Sequence, residues 1–275
     1  MERDNLRFLA EKEEALRRLR EGFFGDIAAR YAPGLSSPLT PDEIARLWES
    51  LGGGASDFAL FCRAFSPYCR SRSVFTGDSP DADAEGEEES GESARIAYLR
   101  TAYSDRAYRR FSSLFGRVTA FYFPGFREVA EEVYAGRATH AILPVWNSAD
   151  GSLLTFRRLL SRYDLKIAAA CDLAEGDDSV VRFALVRRGL PKRKTPPAYL
   201  ELSVVPGDGM TPGMLLGACE SLGAEAVSVS AHPTESGEGA LDIRLDLTHA
   251  DAAALYLYLE GSHARYETTG SYDMI

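Results

Sequence analysis

The chain has 275 residues, of which 45% are hydrophobic and 26% are charged, as in an ordinary globular protein with room for two or three domains. Its formal net charge of −10 argues against nucleic acid or an anionic membrane as the main partner, and no apolar run reaches the length of a membrane-spanning helix. Because the amino-terminal residues are charged rather than apolar, we expect no secretory signal and a cytoplasmic location.

Residues 1–75 carry the pattern of a helical segment. Apolar residues recur at steps of three, four or seven over residues 4–31, which predicts one long helix. Thr40 and Glu43 have the spacing of a capping box, so a second helix is expected to begin directly after Thr40. A third helical stretch is predicted over residues 56–68, after a glycine triplet that weakens or kinks the second helix.

The segment 76–93 is rich in acidic residues and has no large apolar side chain. Such a segment cannot bury enough apolar surface to offset the entropy of the chain. We therefore predict a disordered linker there, with its charges solvated rather than forming a binding site.

The segment 94–190 alternates short apolar strands with amphipathic helices. This alternation predicts a single α/β lobe with a largely parallel, helix-covered sheet. The predicted strands are 96–99, 118–123, 141–145, 165–170 and 180–186, and the predicted helices are 104–115, 126–135 and 153–163.

Beyond a proline-bearing spacer at 191–197, residues 198–275 follow the order strand, helix, strand, strand, helix, strand. This order is typical of the ferredoxin-like α+β fold. The predicted strands are 199–205, 226–232, 239–247 and 264–270, and the predicted helices are 212–222 and 251–260.

The cysteines are scattered, without the paired spacing of a metal site or a redox motif. They are Cys62, Cys69, Cys171 and Cys219. We interpret them as buried thiols, and the sequence predicts neither a metal ion nor any other cofactor.

Motifs in the middle segment resemble those of the first lobe of prephenate dehydratase. Residues 126–148 combine a helix, a glycine stop and a strand ending in Pro-Val-Trp-Asn-Ser, where that family has Pro-Ile-Glu-Asn-Ser. Residues 181–183, Val-Arg-Phe, are similar to the Thr-Arg-Phe strand by which the family's chain returns from its second lobe. The resemblance implies that the middle segment has the fold of that lobe. It also implies that the chain is a relative of prephenate dehydratase or of the bifunctional chorismate mutase–prephenate dehydratase.

The same resemblance implies that the second dehydratase lobe is absent. Only residues 172–179 connect the two strands between which the family inserts that lobe, so we expect these strands to pair as a hairpin. Trp146 replaces the motif's glutamate, and Val181 replaces the threonine that the family uses in catalysis. No residue is therefore assigned as catalytic. The polar remnants of the motifs are Asn147, Ser148 and Arg182.

A structural role is the alternative for two of these remnants. Asn147 and Ser148 precede the helix expected to begin near Ser152, and both residue types are common helix caps. On this interpretation they stabilise the helix start and bind nothing.

Residues 198–275 resemble an ACT regulatory domain of the phenylalanine-sensing type. The segment 207–215 is similar to that family's turn into its first helix, residues 230–233 to its Glu-Ser-Arg-Pro motif, and residues 270–272 to its closing motif. The resemblance implies an aromatic amino acid, phenylalanine above all, as effector, bound between two ACT domains of a homodimer. The implied ligand-binding residues are Pro212, Gly213, Met214, Leu215, Ser230, His232 and Pro233.

The amino-terminal helices show a weaker resemblance. Residues 39–58 are similar to the last helix of the chorismate mutase domain that often precedes the dehydratase, but that domain's second-helix basic cluster has no counterpart. We interpret residues 1–75 as a chorismate-mutase-like remnant.

The sequence leaves several functions open. One is a catalytically impaired relative of prephenate dehydratase in aromatic amino acid biosynthesis, acting by amino-acid sensing or by regulating a partner. Another is an active chorismate mutase or prephenate dehydratase, completed by dimerisation or by a partner chain. A third is an assembly module without a ligand.

Overall fold

The computed structural model describes residues 2–32, 39–54, 57–69, 93–175, 179–191, 193, 195–205, 210–233, 238–262 and 265–275. The chain divides into two compact units. The helical unit comprises Met1–Arg72, Val205–Ala226 and His249–Arg265, and the sheet unit comprises Ser73–Val204, Val227–Thr248 and Tyr266–Ile275. The predicted linker at 76–93 lies outside the described residues, except for its last residue, Ser93.

The predicted helices are confirmed, with shifts of a few residues at their ends. They are α1 (Glu2–Tyr31), α2 (Pro41–Ser50), α3 (Phe58–Phe65), α4 (Ala102–Ser112), α5 (Phe126–Tyr134), α6 (Leu154–Arg162), α7 (Pro212–Ser221) and α8 (Ala252–Gly261). A single 3₁₀ turn, Ser66–Tyr68, follows α3. Within the described part of the chain, no helix combines the length and apolar character needed to cross a bilayer.

The predicted strands are also confirmed, and the short strand β4 is an addition. They are β1 (Ser93–Leu99), β2 (Arg117–Phe123), β3 (His140–Asn147), β4 (Gly151–Ser152), β5 (Leu165–Glu175), β6 (Ser179–Arg188), β7 (Tyr199–Val205), β8 (Glu225–Pro233), β9 (Gly239–Asp246) and β10 (Arg265–Tyr272).

Aromatic side chains form the core of the helical unit. Trp48 of α2 packs edge-on against Phe24 of α1 at a ring-centroid distance of 5.6 Å, and lies 4.8 Å from Phe61 of α3. The predicted capping box is confirmed, since Glu43 N donates to Thr40 Oγ1 at 3.3 Å and Thr40 N donates to Glu43 Oε2 at 2.8 Å.

The predicted weakening at the glycine triplet is a complete helix end. α2 ends at Ser50, and Gly52 turns the chain at φ +67°. The likeness of residues 39–58 to a chorismate mutase helix stays a prediction. In α1, moreover, the apolar stripe faces outward: Leu16, Leu19 and Phe23 are 53%, 71% and 61% exposed.

The described strands join one mixed sheet in the order β2-β1-β3-β6-β5-β10-β7-β9-β8, with β4 paired to β3. β1 is parallel to β2 and β3, whereas β6 is antiparallel to both β3 and β5. The prediction of a largely parallel sheet is therefore wrong. The predicted hairpin is confirmed, because β5 and β6 pair from Leu165↔Arg188 up to Glu175↔Ser179.

Helices cover both faces of the sheet between β1 and β6. On one face, Val133 of α5 and Leu160 of α6 are buried with Ile167 of β5. On the other face, Phe111 of α4 is buried with Ile96 of β1. Burial on both faces explains why these strands read as nearly continuous apolar runs.

The last four strands have the predicted ferredoxin-like connectivity, with β7 lying between β10 and β9 and β8 at the outer edge. β10 joins them to the rest of the sheet by pairing in parallel with β5 at Gly270↔Ile167. The helices α7 and α8 of the same segment belong to the helical unit, while these strands lie almost entirely in the sheet unit. The domain boundaries proposed at 76, 94 and 198 stay predictions.

Candidate functional site

A small cavity lies within the sheet unit, bordered by β3, β6, α6, β7, β8 and β9. Its volume is about 20 Å³, which is room for one water-sized group. The wall combines apolar side chains with an unusual number of charged ones. The polar and aromatic residues of the wall that matter here are Trp146, Ser152, Arg157, Arg182, Glu201 and Arg244.

Arg157 enters the cavity wall from the first turn of α6. Its Nε donates to Ser152 Oγ at 2.7 Å and a terminal nitrogen donates to Glu201 Oε2 at 3.0 Å. Its other terminal nitrogen lies 3.4 Å from Asp242 Oδ2. The arginine side chain is 17% exposed and each carboxylate 6%, so removing any partner would leave a poorly solvated charge.

Glu201 has a second partner in β10. The hydroxyl of Tyr272 donates to Glu201 Oε1 at 2.6 Å. Burial and the Glu201 charge raise the pKa of Tyr272 well above its ordinary value, so the hydroxyl keeps its proton and remains a donor. The Glu201 carboxylate is thus engaged at both oxygens.

Arg182 of β6 lies opposite Trp146 of β3 and Asp172 of β5. Its Nε and one terminal nitrogen donate to the two Asp172 oxygens at 2.7 and 2.8 Å, and its guanidinium lies 5.1 Å from the centre of a Trp146 ring. Burial lowers the pKa of Arg182, but the hydrogen bonds and charge of Asp172 raise it above its ordinary value. The pair is a fixed, mutually neutralised element.

Arg244 of β9 differs from the other two arginines. Its guanidinium stacks over Tyr199 at 4.1 Å from the ring centre, and the residue is 5% exposed. Its Nε has no hydrogen-bond partner among the described residues. Arg244 therefore keeps a hydrogen-bond donor to offer at the cavity.

His232 of β8 adjoins this cluster. Its Nε2 lies 3.1 Å from Asp242 Oδ1, and Asp242 in turn contacts Arg157. One residue predicted as a catalytic remnant, Arg182, and one predicted as a ligand contact, His232, thus border the same group of charged side chains.

Comparisons with known proteins relate the middle segment to one family. Residues 96–174 match the family model described as prephenate dehydratase. This segment is thus similar to prephenate dehydratase over somewhat less than a third of the chain. No curated protein matches the chain.

Solved structures show the same fold at low identity. Prephenate dehydratase from Streptococcus mutans is 21% identical with a TM-score of 0.54, covering 66% of this chain and 98% of that chain. GqqA, described as a novel type of quorum quenching acylase, is 22% identical with a TM-score of 0.52, covering 65% of this chain and 94% of its own. Prephenate dehydratase from Staphylococcus aureus subsp. aureus Mu50 is 12% identical with a TM-score of 0.50, covering 65% of this chain and 99% of that chain.

The prephenate dehydratase motif remnants have separate roles in this structure. Arg182 lies in the cavity wall. Asn147 Oδ1 accepts from the Ala149 N–H at 3.0 Å, and Ser148 Oγ accepts from the Val180 N–H at 3.0 Å. The first bond lies within the turn between β3 and β4, and the second ties that turn to β6. The interpretation of Asn147 and Ser148 as helix caps is wrong, because α6 begins without a side-chain cap.

The predicted effector residues fall in both compact units. They are Pro212, Gly213, Met214 and Leu215 in the first turn of α7, and Ser230, His232 and Pro233 in β8. Thr211 caps α7, its Oγ1 accepting from Met214 N at 3.2 Å. Of the implied first motif, residues 207–209 lie outside the described part of the chain. A shared effector site for these residues stays a prediction.

Apart from Arg182, the sequence did not predict the charged residues that surround the cavity. Glu201 alternates with leucines in β7, and such a charge is expected to face solvent. Its direct partner across the sheet is Arg244, which lies 43 positions later in the chain. A pairing of opposite charges on adjacent strands becomes visible only once the register is known.

Proposed function

We propose that this chain is a prephenate-dehydratase-related protein of aromatic amino acid metabolism that does not dehydrate prephenate and acts instead by sensing an amino acid or regulating a partner. The observation that carries the proposal is the closed β5–β6 hairpin. Its last pair, Glu175↔Ser179, leaves three residues between the strands, where the family resemblance calls for a whole lobe.

The chemistry of the surviving motifs supports this conclusion. Dehydration of prephenate needs a proton delivered to the leaving hydroxyl as carboxylate is lost, with donors directed at the developing charge. Val181 has no proton to give, and Trp146 has no carboxylate. Arg182, the charged remnant, is neutralised by Asp172 through two hydrogen bonds.

A turnover assay tests the catalytic part. We expect no phenylpyruvate from prephenate, with the Streptococcus mutans prephenate dehydratase as positive control. The double variant Val181→Thr, Trp146→Glu is expected to stay inactive, because two side chains do not replace a missing lobe. Turnover that scales with protein concentration and disappears in Trp146→Ala would contradict the proposal.

The effector of the proposed ACT domain is an aromatic amino acid, with phenylalanine the first choice. Calorimetric titration with phenylalanine, tyrosine and tryptophan is expected to give a saturable signal for at least one. His232→Gln should weaken it, whereas the exposed His249→Gln serves as the matched control. Three flat traces would instead support an assembly module without a ligand.

A homodimer is part of the same proposal. Sedimentation equilibrium is expected to give twice the mass of one chain. Incubation with chorismate, followed by its absorbance, tests the alternative of a mutase completed by dimerisation, and a steady decay would favour that alternative.

A further inference from the structure

Arg244 lies in the cavity wall with hydrogen-bonding capacity that the described protein leaves unused. The residue is 5% exposed, and its Nε has no hydrogen-bond partner among the described residues. A buried donor without an acceptor costs free energy, and more so when it is charged. Native proteins satisfy most buried donors with a protein group, a water or a ligand.

The neighbouring carboxylates are already engaged elsewhere. Glu201 accepts from Arg157 and Tyr272, and Asp172 accepts twice from Arg182. Asp242 contacts Arg157 and lies 3.1 Å from His232. None of them accepts from Arg244 Nε, so this donor is open to a group from outside the network.

The guanidinium of Arg244 is held in place before any ligand binds. Its guanidinium lies 4.1 Å from the ring centre of Tyr199 and 5.8 Å from that of Tyr272, so two aromatic rings restrict it. The Tyr272 hydroxyl is itself bonded to Glu201. A guanidinium held in this way loses little side-chain entropy when it binds.

The cavity determines how much of a ligand can enter. Its volume of about 20 Å³ admits one water-sized group, so a single oxygen atom of a ligand fits and a whole amino acid does not. Ser228 lines the cavity and is exposed, which marks where the cavity reaches the surface. Trp146 and Leu160 add an apolar wall beside the charged one.

We propose that Arg244 binds the carboxylate group of a small organic acid, with one carboxylate oxygen in this cavity and the remainder on the Ser228 side. Arg244 Nε would donate to that oxygen in a charge-assisted hydrogen bond. The inference is independent of the amino-acid sensing proposed above, since it uses none of the α7 residues.

Tryptophan fluorescence gives a direct test. The chain has two tryptophans, so Trp48→Phe leaves Trp146 in the cavity wall as the single reporter. Titration of this variant with sodium acetate, at constant ionic strength set by sodium chloride, is expected to change the Trp146 emission saturably.

Variants then assign the response to Arg244. Arg244→Gln is expected to weaken acetate binding at least about tenfold, the usual effect of losing one charge-assisted hydrogen bond. Arg244→Lys keeps the charge but not the Nε donor, so it should also bind more weakly. Arg158→Gln, the same charge change at an exposed position of α6, is the matched control and should bind as the parent does.

Several outcomes would overturn the proposal. One is an equal response to chloride, another is no saturable response up to about 0.1 M acetate, where even weak complexes are populated. A third is unchanged binding in Arg244→Gln or, if that variant does not fold by circular dichroism, in Arg244→Lys. Phenylalanine binding that persists in Arg244→Lys while acetate binding fails in the parent would reject this site and leave the proposed amino-acid sensing intact.

Discussion

Asp172 and Arg182 face each other across the β5–β6 hairpin and form a two-point ion pair, with N–O distances of 2.7 and 2.8 Å. The pair lies six register positions from the start of the hairpin and three from its closed end. This ion pair connects β5 and β6. By the family resemblance, these correspond to the strands through which the chain of prephenate dehydratase leaves its first lobe and returns to it. Arg182 therefore stabilises the pairing of these two strands.

Asp172→Asn should destabilise the sheet unit by about 1–3 kcal/mol, because it removes the charge that compensates the largely buried Arg182. Arg182 is 13% exposed at its side chain, while Asp172 is 38% exposed, so solvent screening keeps the effect below that of a fully buried pair. Urea-induced unfolding measures the loss. Glu128→Gln, at an exposed position of α5, is the control, and an equal effect of the two changes would show that the pair contributes nothing.

Stability should fall above about pH 10, the ordinary tyrosine pKa. Burial and the Glu201 charge raise the pKa of Tyr272 in the folded protein, so the unfolded chain loses this proton first as the pH rises. Below pH 10 the contribution of protonated Tyr272 to the free energy of unfolding is fully present. Above pH 10 about 1.4 kcal/mol of this free energy is lost per unit of pH. Tyr272→Phe should flatten this dependence in urea unfolding at pH 9 to about 11. An identical slope in the variant would contradict the assignment to Tyr272.

Acid should destabilise the fold through His140. This residue is 3% exposed, and burial together with the Arg187 charge lowers its pKa to about 3 from 6.5. Between these values the unfolded chain binds the proton and the folded one does not, so stability decreases as the pH falls below about 6.5. The expected slope is about 1.4 kcal/mol per unit of pH.

His140→Asn should remove most of that slope, because asparagine stays neutral and can still meet Thr139 Oγ1, which lies 2.9 Å from His140 Nδ1. Unfolding between about pH 5 and 6.5 separates this effect from carboxylate titration. His249→Asn, an exposed position, should leave the slope unchanged. A slope retained in His140→Asn would count against the buried histidine as its source.

Gly223→Ala should destabilise the helical unit by more than about 2 kcal/mol, since backbone strain and a steric clash both contribute to the loss. Gly223 has φ +81°, and an added Cβ would lie 2.4 Å from the carbonyl oxygen of His249. Gly136, at φ +72° with open space around it, is the matched control. Gly136→Ala is expected to cost about 1 kcal/mol from backbone strain alone. Equal losses in calorimetric unfolding would mean that the His249 carbonyl moves aside.

The elements of the fold could be predicted because their signals are local. The capping box at Thr40 and Glu43 and the strand patterns around residues 172–179 depend on neighbouring residues, and the structure confirms both the helix start and the hairpin. The prediction of parallel strands was wrong because it, too, was based on local patterns alone. A hairpin turns β6 against its neighbours, and this outweighs the parallel arrangement that alternating strands and helices predict.

The candidate site could not be predicted in the same way. Arg157 looks like a solvated helix charge in the sequence, yet its partner Glu201 is 44 positions away. The hydroxyl that completes the Glu201 contacts, from Tyr272, is 71 positions away. Contacts over such distances depend on the strand order, which no local pattern encodes. Only Arg182 and His232 could be singled out beforehand, through family motifs.

The pairing of β10 with β5 has a practical consequence for dissecting the protein. A fragment cut at residue 197 would carry Glu201 and Asp242 into solution without Arg157, their ion-pair partner. Because β10 would also lose β5 as its neighbour, its newly opened edge would become a template for strand association between copies. The carboxy-terminal segment is therefore a poor candidate for isolation, and its ligand responses are best measured with β5 still in place.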